Sequence, residues 1–596
     1  MIGRIIESNM QDFAKKNELS TENIDVLFEE FSTYYTVSKI MDGDFNYSDI
    51  DDMHTGGRDD TGIDAIGIII NGEFINNLQS LDDIFANVNK SNNKIHKNSD
   101  LLIIFIQSKT SSKFKSTEIR NFGDGIVDIL KKTPKLRQNN DIKEKWKMIN
   151  KLIDKASYFN AIRGRAYYVT TGNWNSKDKN LNAVIETIET DVKSLNIFSS
   201  FSFKPIDSPT LQNYYRDSDI KVSKDIEFPD RIVLPKVEGV QEGWYGFING
   251  IEFLKLIEDE NKDLRRSLFY DNVRDFIGLD TEANNGIAKT LQSEHPENMI
   301  ILNNGITIIA EEAKTVRNTL TLKNYQIVNG CQTSYVIYKN RSCITDSINI
   351  PVKIVVTPDS RISTNITIAN NSQNAVKNEE LLALTQIQKN LEEYFKTFKK
   401  DKRLFYERRA NQYNENAEVE KVRIVNISTS LRAYSSMFLG LPHLASRWIG
   451  KLFENYSTKV FNDRNSLIAF YTSSFALYRY LFFIRNHIFE RKYAKFKYFI
   501  LFMIRLYLTS NSENERSKKE TTEECNLINQ VIWNKSNCKL VMQNLIGIIQ
   551  SIAGDNITSN QLTSNKKFLK SLIEPTKKLR QKDLSWINEI TKINNR

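Results

Sequence analysis

Three polar residues near the start of the chain have types and a spacing suited to phosphodiester hydrolysis. Asp64 lies near the start of an apolar run at 63–70, and Gln107 and Lys109 follow a second apolar run at 101–106. Because side chains alternate along a strand, Gln107 and Lys109 point to the same side of theirs. We therefore expect a carboxylate, an amide oxygen and an ammonium group to meet at one edge of a sheet.

Three predicted strands position these groups. Residues 63–70 are β-branched enough to form a strand, and Asn71-Gly72 before 73–75 is a strong signal for a tight hairpin turn. Residues 101–106 form an apolar run of the length expected for a strand buried on both faces. The polar residues would then lie where a hairpin arm and a buried strand meet.

A divalent cation would complete this chemistry. Mg²⁺, or Mn²⁺ in its place, takes oxygen ligands, usually one or two carboxylates together with water and substrate phosphate. The Asp64 carboxylate and the Gln107 carbonyl are the predicted ligands. Lys109 would hold or help to deprotonate the attacking water and offset the charge that develops on the phosphate.

The segment GGRDDTGIDAI at 56–66, followed by IQSK at 106–109, resembles the Mrr-like branch of the PD-(D/E)xK nuclease superfamily. The resemblance implies a restriction-endonuclease-like α/β/α core, a divalent metal and nucleic acid as the substrate. The sequence departs from the usual form because Gln107 stands where Asp or Glu is common. That departure removes a negative charge from the metal site, so a further acid is needed elsewhere.

Glu29 is the predicted source of that acid. Residues 23–39 have apolar side chains at helical spacing, which predicts a helix lying on the sheet. In Mrr-like nucleases the helix before the catalytic hairpin often supplies a glutamate after a phenylalanine, and Phe28-Glu29 resembles that pattern. Glu30 is the neighbouring choice, and the other interpretation is that both glutamates are solvated surface acids.

The composition indicates a globular protein of several domains. A length of 596 residues predicts three or four domains, and contents of 40% hydrophobic and 26% charged residues are ordinary for globular proteins. A formal net charge of +9 permits a polyanionic partner. Four cysteines without a CxxC spacing predict reduced thiols in a cytoplasm. Charged residues interrupt the apolar region at 478–508, so we expect no membrane span.

The order of predicted elements divides the chain into three parts. A helix at 117–132, a strand at 165–171, a helix at 181–195 and a strand at 197–206 complete the N-terminal unit. The predicted domains are a nuclease domain at 1–207, a central α+β domain at 236–405 and a helical domain at 406–596. The predicted fold class is therefore α/β multidomain, with a restriction-endonuclease-like α/β/α core, a central α+β region and a mostly helical C-terminal domain.

Asparagine-glycine pairs and amide side chains mark the central region. Asn304-Gly305 and Asn329-Gly330 lie between apolar β-branched runs, which is typical of tight turns in a sheet. Polar residues after the strands could equally cap helices; these are Gln332, Thr333, Asn371, Gln373 and Asn374. The alternative is that Asn329, Gln332 and Thr333 hold a nucleotide or a nucleic-acid backbone by hydrogen bonds.

Five short blocks follow one another through the central region. They are Asn272-Val273-Arg274, Asn303-Asn304-Gly305-Ile306-Thr307, Ile327-Val328-Asn329-Gly330-Cys331-Gln332-Thr333, Asn370-Asn371-Ser372-Gln373-Asn374 and Phe405-Tyr406-Glu407-Arg408-Arg409. In this order they resemble the AIPR family, named for abortive infection in phage resistance. The resemblance implies a bacterial anti-phage role, and many members of the family join a nuclease-like core to this region.

The last third of the chain has the pattern of helices. Residues 422–439 and 467–508 carry apolar side chains at helical spacing, and 525–590 predict two or three more helices. Basic and aromatic residues alternate at 478–507, which suits either a nucleic-acid track or a helical bundle whose basic residues reach solvent. We favour the bundle because the aromatic spacing suits burial. The charged segment 511–524 is predicted to be a loop.

The favoured interpretation is a metal-dependent nuclease that acts on DNA during phage infection and is controlled by the central and C-terminal regions. No GxxxxGK[ST], GxSxG, HExxH or GxGxxG motif occurs, which removes the usual support for other enzyme classes. One alternative is a nucleic-acid- or nucleotide-binding sensor with an inactive nuclease fold, and another is RNA cleavage by the same site. The expected partners are DNA and a phage-derived or nucleotide trigger, with a homodimer left open and no membrane.

Overall fold

A computed structural model describes residues 2–592 apart from 42–46, 71–72, 89–98, 218–222, 259–261, 263, 270–281, 372–384, 409–411, 414–418, 448, 510–516, 555–556 and 558–561. The chain divides into two compact units. The first combines Met1–Thr36, Asn46–Tyr215 and Leu382–Arg596, and the second combines Val37–Phe45 and Arg216–Leu381. The first unit therefore joins the predicted nuclease region to the C-terminal helices. The three predicted domain boundaries stay predictions.

A mixed sheet forms the centre of the N-terminal part of the first unit. Its strands are β1 Ala65–Ile70, β2 Glu73–Phe74, β3 Ser99–Lys109, β4 Phe159–Thr170 and β5 Ser200–Ile206. They lie in the order β2-β1-β3-β4-β5. Strand β1 is antiparallel to both of its neighbours, whereas β3, β4 and β5 are parallel. An antiparallel hairpin is thus added to one edge of a parallel sheet.

Helices precede, connect and follow these strands. They are α1 Arg4–Asn17, α2 Ile24–Met41, α3 Tyr47–Met53, α4 Leu78–Val88, α5 Ser116–Ile129, α6 Asn140–Asp154, α7 Lys179–Ser194 and α8 Ser208–Asp217. The apolar side of α5 is buried, with Ile119, Phe122, Ile126 and Ile129 in the core that also holds the sheet residues. The sheet core depends mainly on burial of these apolar side chains.

The two predicted strands are present as β1 and β3, but Asp64 lies just before β1 and not on it, because the strand begins at Ala65. Residues 101–106 are buried throughout, as predicted for a strand covered on both faces. The predicted hairpin is confirmed because Ile69 pairs with Phe74 and Ile70 with Glu73. The turn residues Asn71 and Gly72 lie outside the described residues.

The second unit contains a six-stranded sheet. Its strands are β6 Ser223–Glu227, β7 Arg231–Val233, β8 Glu242–Asn249, β9 Ile306–Val316, β10 Thr319–Asn329 and β11 Asn349–Val356, in the order β6-β10-β9-β11-β8-β7. Its described helices are α9 Gly250–Ile257, α10 Glu282–Leu291, α11 Met299–Leu302, α12 Cys331–Lys339 and α13 Ser360–Asn371. Strands β9 and β11 are parallel, and the other pairings in this sheet are antiparallel.

Both asparagine-glycine pairs lie at junctions between a helix and a strand, so the prediction of turns between strands is wrong. Asn304-Gly305 follows helix α11, and Gly330 is the residue before helix α12. The apolar run at Met299–Leu302 is helical. A short apolar run cannot be assigned to helix or strand by periodicity alone, which explains the error.

The C-terminal part of the first unit is a helical bundle. Its described helices are α14 Gln386–Lys396, α15 Ile427–Phe438, α16 Pro442–Ala445, α17 Ile449–Val460, α18 Leu467–Arg485, α19 Lys497–Thr509, α20 Lys518–Trp533, α21 Lys535–Ala553, α22 Lys566–Lys582 and α23 Leu584–Lys592. Strands β12 Phe405–Glu407 and β13 Ile424–Asn426 form a small parallel pair beside them. The mixed α/β chain with a helical C-terminal part is thereby confirmed.

The bundle corrects the prediction that its basic residues reach solvent. The aromatic side chains are buried, as the bundle interpretation requires, but Arg479, Arg485 and Arg505 are buried as well and do not reach solvent. Arg505, for example, donates to both carboxylate oxygens of Glu524, at 3.1 Å each. A buried guanidinium needs such a partner because leaving it unpaired costs several kcal/mol.

The segment predicted as a loop at 511–524 becomes helical at Lys518. Ser517 and Glu520 form a capping box, in which each side chain accepts a hydrogen bond from the other residue's backbone N–H. Among the described residues, α18 is the single helix long and apolar enough to cross a membrane, and 83% of the window that qualifies is buried inside the fold. Its residues belong to the core of the bundle.

Candidate functional site

A tight loop before β1 presents Asp64. Asp59 and Thr61 adopt the left-handed conformation, with φ of 61° and 58°. The Asp60 carboxylate accepts hydrogen bonds from the backbone N–H groups of Gly57 and Gly62, at 3.2 and 2.8 Å. These bonds within the loop fix its conformation, because they tie down a backbone that would otherwise be free to move.

Helix α5 packs closely against the same loop. A Cβ atom on Gly125 would lie 2.1 Å from the carbonyl oxygen of Thr61, far inside contact distance. Only glycine lets the helix approach the loop this closely. The position of the loop, and with it that of Asp64, therefore depends on Gly125, which is distant in the sequence and has no side chain.

Asp64 and Gln107 are joined directly at the end of β3. The Asp64 backbone N–H donates to the carbonyl of Ile106 at 2.9 Å, which sets the register of the two strands. One carboxylate oxygen, Oδ2, accepts hydrogen bonds from Gln107 Nε2 at 2.8 Å and from the Ser108 backbone N–H at 2.7 Å. Within the described residues no hydrogen bond reaches the other oxygen, Oδ1. That oxygen is available for a ligand.

The carbonyl oxygen of Gln107 has no hydrogen-bond partner in the described part of the chain. The side chain is buried, with 2% exposed, and its Oε1 is enclosed. A buried polar atom left without a partner costs about 1–3 kcal/mol, so such atoms in folded proteins usually serve a purpose. Here an acceptor oxygen lies on the same side chain that binds Asp64, which is the arrangement expected for a cation ligand.

Glu29 reaches the same place from helix α2. Its Oε1 lies 2.8 Å from Nδ1 of His54. A Cβ atom on Gly56 would lie 3.3 Å from Glu29 Oε1 and 3.6 Å from Asp64 Cα, so the carboxylate of Glu29 faces the loop that carries Asp64. Burial, followed by the negative charge of Glu29, raises the pKa of the Asp64 carboxyl to about 7. Two carboxylates held this close attract a cation.

Glu30, the neighbouring choice, has a different environment. It is buried, with 3% exposed, and its carboxylate accepts hydrogen bonds from Tyr47 Oη at 2.8 Å and from Arg491 at 2.7 Å. Burial raises its pKa, and the positive charge of Arg491 opposes that shift. The surface-acid interpretation is thus wrong for Glu30, which is a structural residue, whereas Glu29 is partly exposed beside Asp64.

Lys109 lies exposed at the end of β3. Its positive charge lowers the pKa of Asp64 against the larger effect of burial, and it also helps to lower the pKa of Glu118, after the larger contribution of Lys115. Glu118 accepts a hydrogen bond from Tyr168 Oη at 3.0 Å. The ammonium group therefore interacts electrostatically with both Asp64 and Glu118.

The structure thus brings together all four predicted residues, and adds His54. We refer to Glu29, His54, Asp64, Gln107 and Lys109 as the Asp64 cluster. No sequence pattern pointed to His54, since a single histidine in a loop has no distinguishing signal. Asp60 and Glu118 were also missed, although Asp60 lies within the acidic loop that carried the resemblance.

The donor set of the Asp64 cluster fits a hard cation. Among the residues that the structure describes, no group of three or more His, Cys, Asp or Glu side chains is arranged to hold a metal. The cluster supplies two carboxylates and one amide oxygen instead. Mg²⁺ suits this set because it is usually held by one or two carboxylates and keeps several waters.

Two of the predicted ligand-binding residues of the central region accept hydrogen bonds from asparagine side chains. Gln332 Oε1 accepts from Asn284 Nδ2 at 2.9 Å, and Thr333 Oγ1 accepts from Asn303 Nδ2 at 3.1 Å. We refer to Asn284, Asn303, Gln332 and Thr333 as the amide cluster. Asn329 ends strand β10 before the junction with α12. Ligand binding by Asn329, Gln332 and Thr333 stays a prediction.

Several residues of the sequence blocks cannot be placed. Asn272-Val273-Arg274, Ser372-Gln373-Asn374 and Arg409 lie outside the described residues, and the side chains of Asn370 and Asn371 do as well.

Comparison with known proteins gives a family match to the central and C-terminal regions. No curated protein and no solved structure gives a significant match to the chain. Residues 269–561 match the family described as AIPR protein, over somewhat less than half of the chain. The match includes the amide cluster and much of the helical bundle but not the Asp64 cluster. This region is therefore similar to the AIPR family, a likeness that suggests involvement in phage defence by abortive infection.

Proposed function

We propose that the Asp64 cluster hydrolyses phosphodiester bonds of nucleic acid, with DNA as the substrate and Mg²⁺ or Mn²⁺ as cofactor, during anti-phage defence. The observation that carries the proposal is the buried Gln107 Oε1 without a hydrogen-bond partner, beside a carboxylate with a pKa of about 7. A bound cation would satisfy both, because it supplies a partner for the oxygen and compensates the charge of Asp64 and Glu29.

Asp64, Gln107 and Glu29 are the residues that would hold the ion. When bound, the ion lowers the pKa of a coordinated water and offsets charge on the phosphate. His54 orients the Glu29 carboxylate through their 2.8 Å contact. Lys109 carries a positive charge next to Asp64, where it positions the attacking water or binds a phosphate oxygen.

The fold around the cluster supports the same proposal. An antiparallel hairpin that carries the acid, followed by a buried strand that ends in Gln107-Ser108-Lys109, is the arrangement that the PD-(D/E)xK resemblance implies. The sheet continues with two parallel strands, and helices pack on it. The departure at Gln107 leaves the site with two carboxylates, which is within the usual number for Mg²⁺.

The test is cleavage of supercoiled plasmid by the full-length chain with Mg²⁺, with Mn²⁺ and with EDTA. We expect cleavage with either metal and none with EDTA. Lys109→Ala should reduce the rate roughly a hundred-fold, the range for loss of one group that stabilises charge at a reacting centre. Lys113→Ala removes an exposed lysine shortly after β3 and should leave the rate unchanged. Cleavage that survives Lys109→Ala would contradict the proposal.

The choice of substrate and the need for a trigger are tested in the same assay. Duplex DNA, single-stranded DNA and RNA are supplied separately, with and without extract from infected cells. Activity only with extract would indicate that the remainder of the chain controls the site and responds to a phage-derived or nucleotide trigger. Faster cleavage of RNA than of DNA would replace the proposed substrate. Binding of nucleic acid without cleavage under any condition would favour a sensor with an inactive nuclease fold.

A further inference from the structure

A cavity of about 600 Å³ lies beside the loop that presents Asp64. Its lining includes Asp59, five positions before Asp64 on that loop, together with residues of the segment between α5 and α6 and of α6 itself. The volume falls within the roughly 300–1,000 Å³ of cavities that hold small organic ligands. The cavity is therefore large enough for a nucleotide.

The lining combines cationic and apolar side chains with one acid, Asp59. Arg137 and Lys143 line the cavity, and neither forms an ion pair with any residue in the described ranges. Trp146 and Leu136 supply the apolar surface, and Leu136 is 46% exposed although it is a large hydrophobic residue. An aromatic ring beside two free cations is the combination that binds a nucleobase and its phosphate.

A further lining residue offers an unused hydrogen-bond donor. Gln138 Nε2 is enclosed and has no partner among the described residues. Because Nε2 is enclosed, the amide would have to turn toward the cavity before it could donate to an oxygen of a base or of a phosphate.

Hydrogen bonds hold two parts of the lining in place, the backbone at 135–136 and the Trp146 ring. The buried Asp128 carboxylate accepts from the backbone N–H groups of Lys135 and Leu136, at 2.9 to 3.1 Å. Trp146 Nε1 donates to the carbonyl of Lys131 at 3.0 Å. A rigid site binds more tightly because little ordering is needed on binding.

The cavity is also tied to the Asp64 loop. Asn139, which caps helix α6, donates from its backbone N–H to the Asp59 carbonyl at 2.8 Å and from its side chain to the Thr55 carbonyl at 2.9 Å. The Thr55 backbone N–H in turn donates to the Asp64 carbonyl at 2.8 Å. A ligand in the cavity is thereby placed at a fixed position relative to the Asp64 cluster.

We propose that this cavity binds one nucleotide of a single-stranded or locally unpaired nucleic acid, with its base on Trp146 and its phosphate on Arg137 and Lys143. The inference rests on the proposed function in one respect, namely that the strand held here is the strand to be cut. The cavity then acts as a subsite that sets which phosphate reaches the Asp64 cluster.

The test measures binding of a fluorescein-labelled single-stranded 15-mer to the full-length chain by fluorescence anisotropy, in EDTA so that no cleavage occurs. The double variant Arg137→Ala/Lys143→Ala should weaken binding about tenfold or more, as expected for the loss of two phosphate contacts. The matched control Lys132→Ala/Lys179→Ala removes the same charge from exposed lysines that do not line the cavity, and should weaken binding less than about threefold. Equal effects of the two double variants would overturn the inference.

A second probe isolates the contact with the base. An abasic 15-mer has the same phosphates but no bases, and it should bind the wild-type chain at least about fivefold more weakly because stacking is lost. Trp146→Ala should abolish this preference, and Trp146→Phe should retain it because the ring remains. Equal binding of both strands by the wild type would overturn the inference even if Trp146→Ala fails to fold.

Mg²⁺-dependent cleavage measured in parallel separates this inference from the proposed function. Cleavage by the wild type, with binding unaffected by the Arg137/Lys143 changes, overturns the subsite and leaves the nuclease. Cavity-dependent binding without cleavage leaves the nucleotide site and overturns the nuclease. A wild-type chain that binds neither 15-mer overturns the subsite.

Discussion

The Asp64 cluster and the amide cluster differ in whether their polar side chains have hydrogen-bond partners within the protein. In the amide cluster, Gln332 and Thr333 are paired with asparagine side chains of the same unit. In the Asp64 cluster, the Gln107 oxygen is buried without a partner, and the pKa of Asp64 is raised by burial and by a second acid. Two amide-containing clusters of the same chain thus have opposite characters.

This difference separates side chains that stabilise a fold from side chains that are ready to bind a ligand. Polar groups that satisfy one another stabilise a fold and need no ligand. Groups left unsatisfied in a buried site destabilise the free protein, and a ligand can recover that free energy. The family match covers the first kind of cluster and stops short of the second.

The largest expected effect is on cleavage after a change at Asp64. Asp64→Asn keeps the size of the side chain and its acceptor oxygen but removes the charge that a cation needs. We expect the cleavage rate to fall by roughly a hundred-fold to a thousand-fold, as for other single electrostatic groups at a reacting centre. Gln332→Ala, in the amide cluster, should change the rate less than about twofold while it lowers stability by about 1 kcal/mol through a lost hydrogen bond. The comparison fails if the two variants lose similar activity.

The second prediction concerns stability and pH without metal. The pKa of Asp64 is about 7 in the folded chain against an ordinary value of 3.8. The folded state therefore binds the Asp64 proton more tightly than the unfolded state does. The contribution of this proton to the free energy of unfolding is complete below about pH 4 and is lost as the pH rises through about 7. At about 1.36 kcal/mol for each unit of pKa, the stability lost is at most about 4 kcal/mol.

Asparagine does not ionise, so the Asp64→Asn variant does not lose this stability as the pH rises. The difference between the unfolding midpoints of the variant and the wild type should therefore be larger at pH 8 than at pH 5. Thermal unfolding in EDTA measures both. Asp154→Asn, an exposed acid at the end of α6, is the matched control and should show no such dependence on pH. A difference between Asp64→Asn and wild type that is constant from pH 5 to pH 8 would contradict the raised pKa.

Glu29 and Glu30 allow the same comparison between a residue of the Asp64 cluster and a residue whose hydrogen bonds are satisfied. Glu29→Gln should lower the cleavage rate and the apparent Mg²⁺ affinity by roughly 10- to 100-fold, the range for groups that support a metal site. Glu30→Gln should leave cleavage near the wild-type rate and lower the unfolding midpoint, because Arg491 loses one of its two acids while Asp51 remains at 2.8 Å. Plasmid cleavage over a range of Mg²⁺ concentrations distinguishes them. The reverse pattern would make Glu30 the acid of the site.

The smallest effect is expected from two glycines. Gly125→Ala places a Cβ atom against the Thr61 carbonyl and should destabilise the first unit by about 1–3 kcal/mol while it displaces the Asp64 loop. Gly286→Ala, in helix α10 of the second unit, meets no atom within 4 Å and should be neutral or stabilise by up to about 1 kcal/mol. Chemical denaturation followed by circular dichroism measures both, and equal changes would show that the loop has room to move.

The sequence predicted the local parts of the site well. The strand that follows Asp64 and the strand that carries Gln107 were visible because β-branched runs and an Asn-Gly pair are local signals. Helix α2 was visible from its apolar spacing, and the preference for Glu29 over Glu30 agrees with their environments in the structure. The capping box at Ser517 was also present in the sequence, yet the charged composition of 511–524 led to the prediction of a loop.

The parts that could not be predicted depend on contacts between distant residues. Arg491 meets Glu30 across 461 positions of sequence, and no pattern near either residue indicates the other. The same holds for Glu524, which keeps Arg505 inside the bundle. His54 joined the site through the fold of a loop, and the helical state of Met299–Leu302 was decided by packing and not by composition.

The ion pairs between the N-terminal helices and the bundle have a consequence for the order of synthesis. Glu30 and Asp51 are neutralised by Arg491, and Glu18 is neutralised by Arg423 and Arg485. Chains emerge from the ribosome N-terminus first, so these acids wait for more than four hundred further residues before their partners exist. A nascent or prematurely terminated chain thus carries Glu29 on a helix that lacks its supports, and the Asp64 cluster gains those supports only after Arg491 has been made.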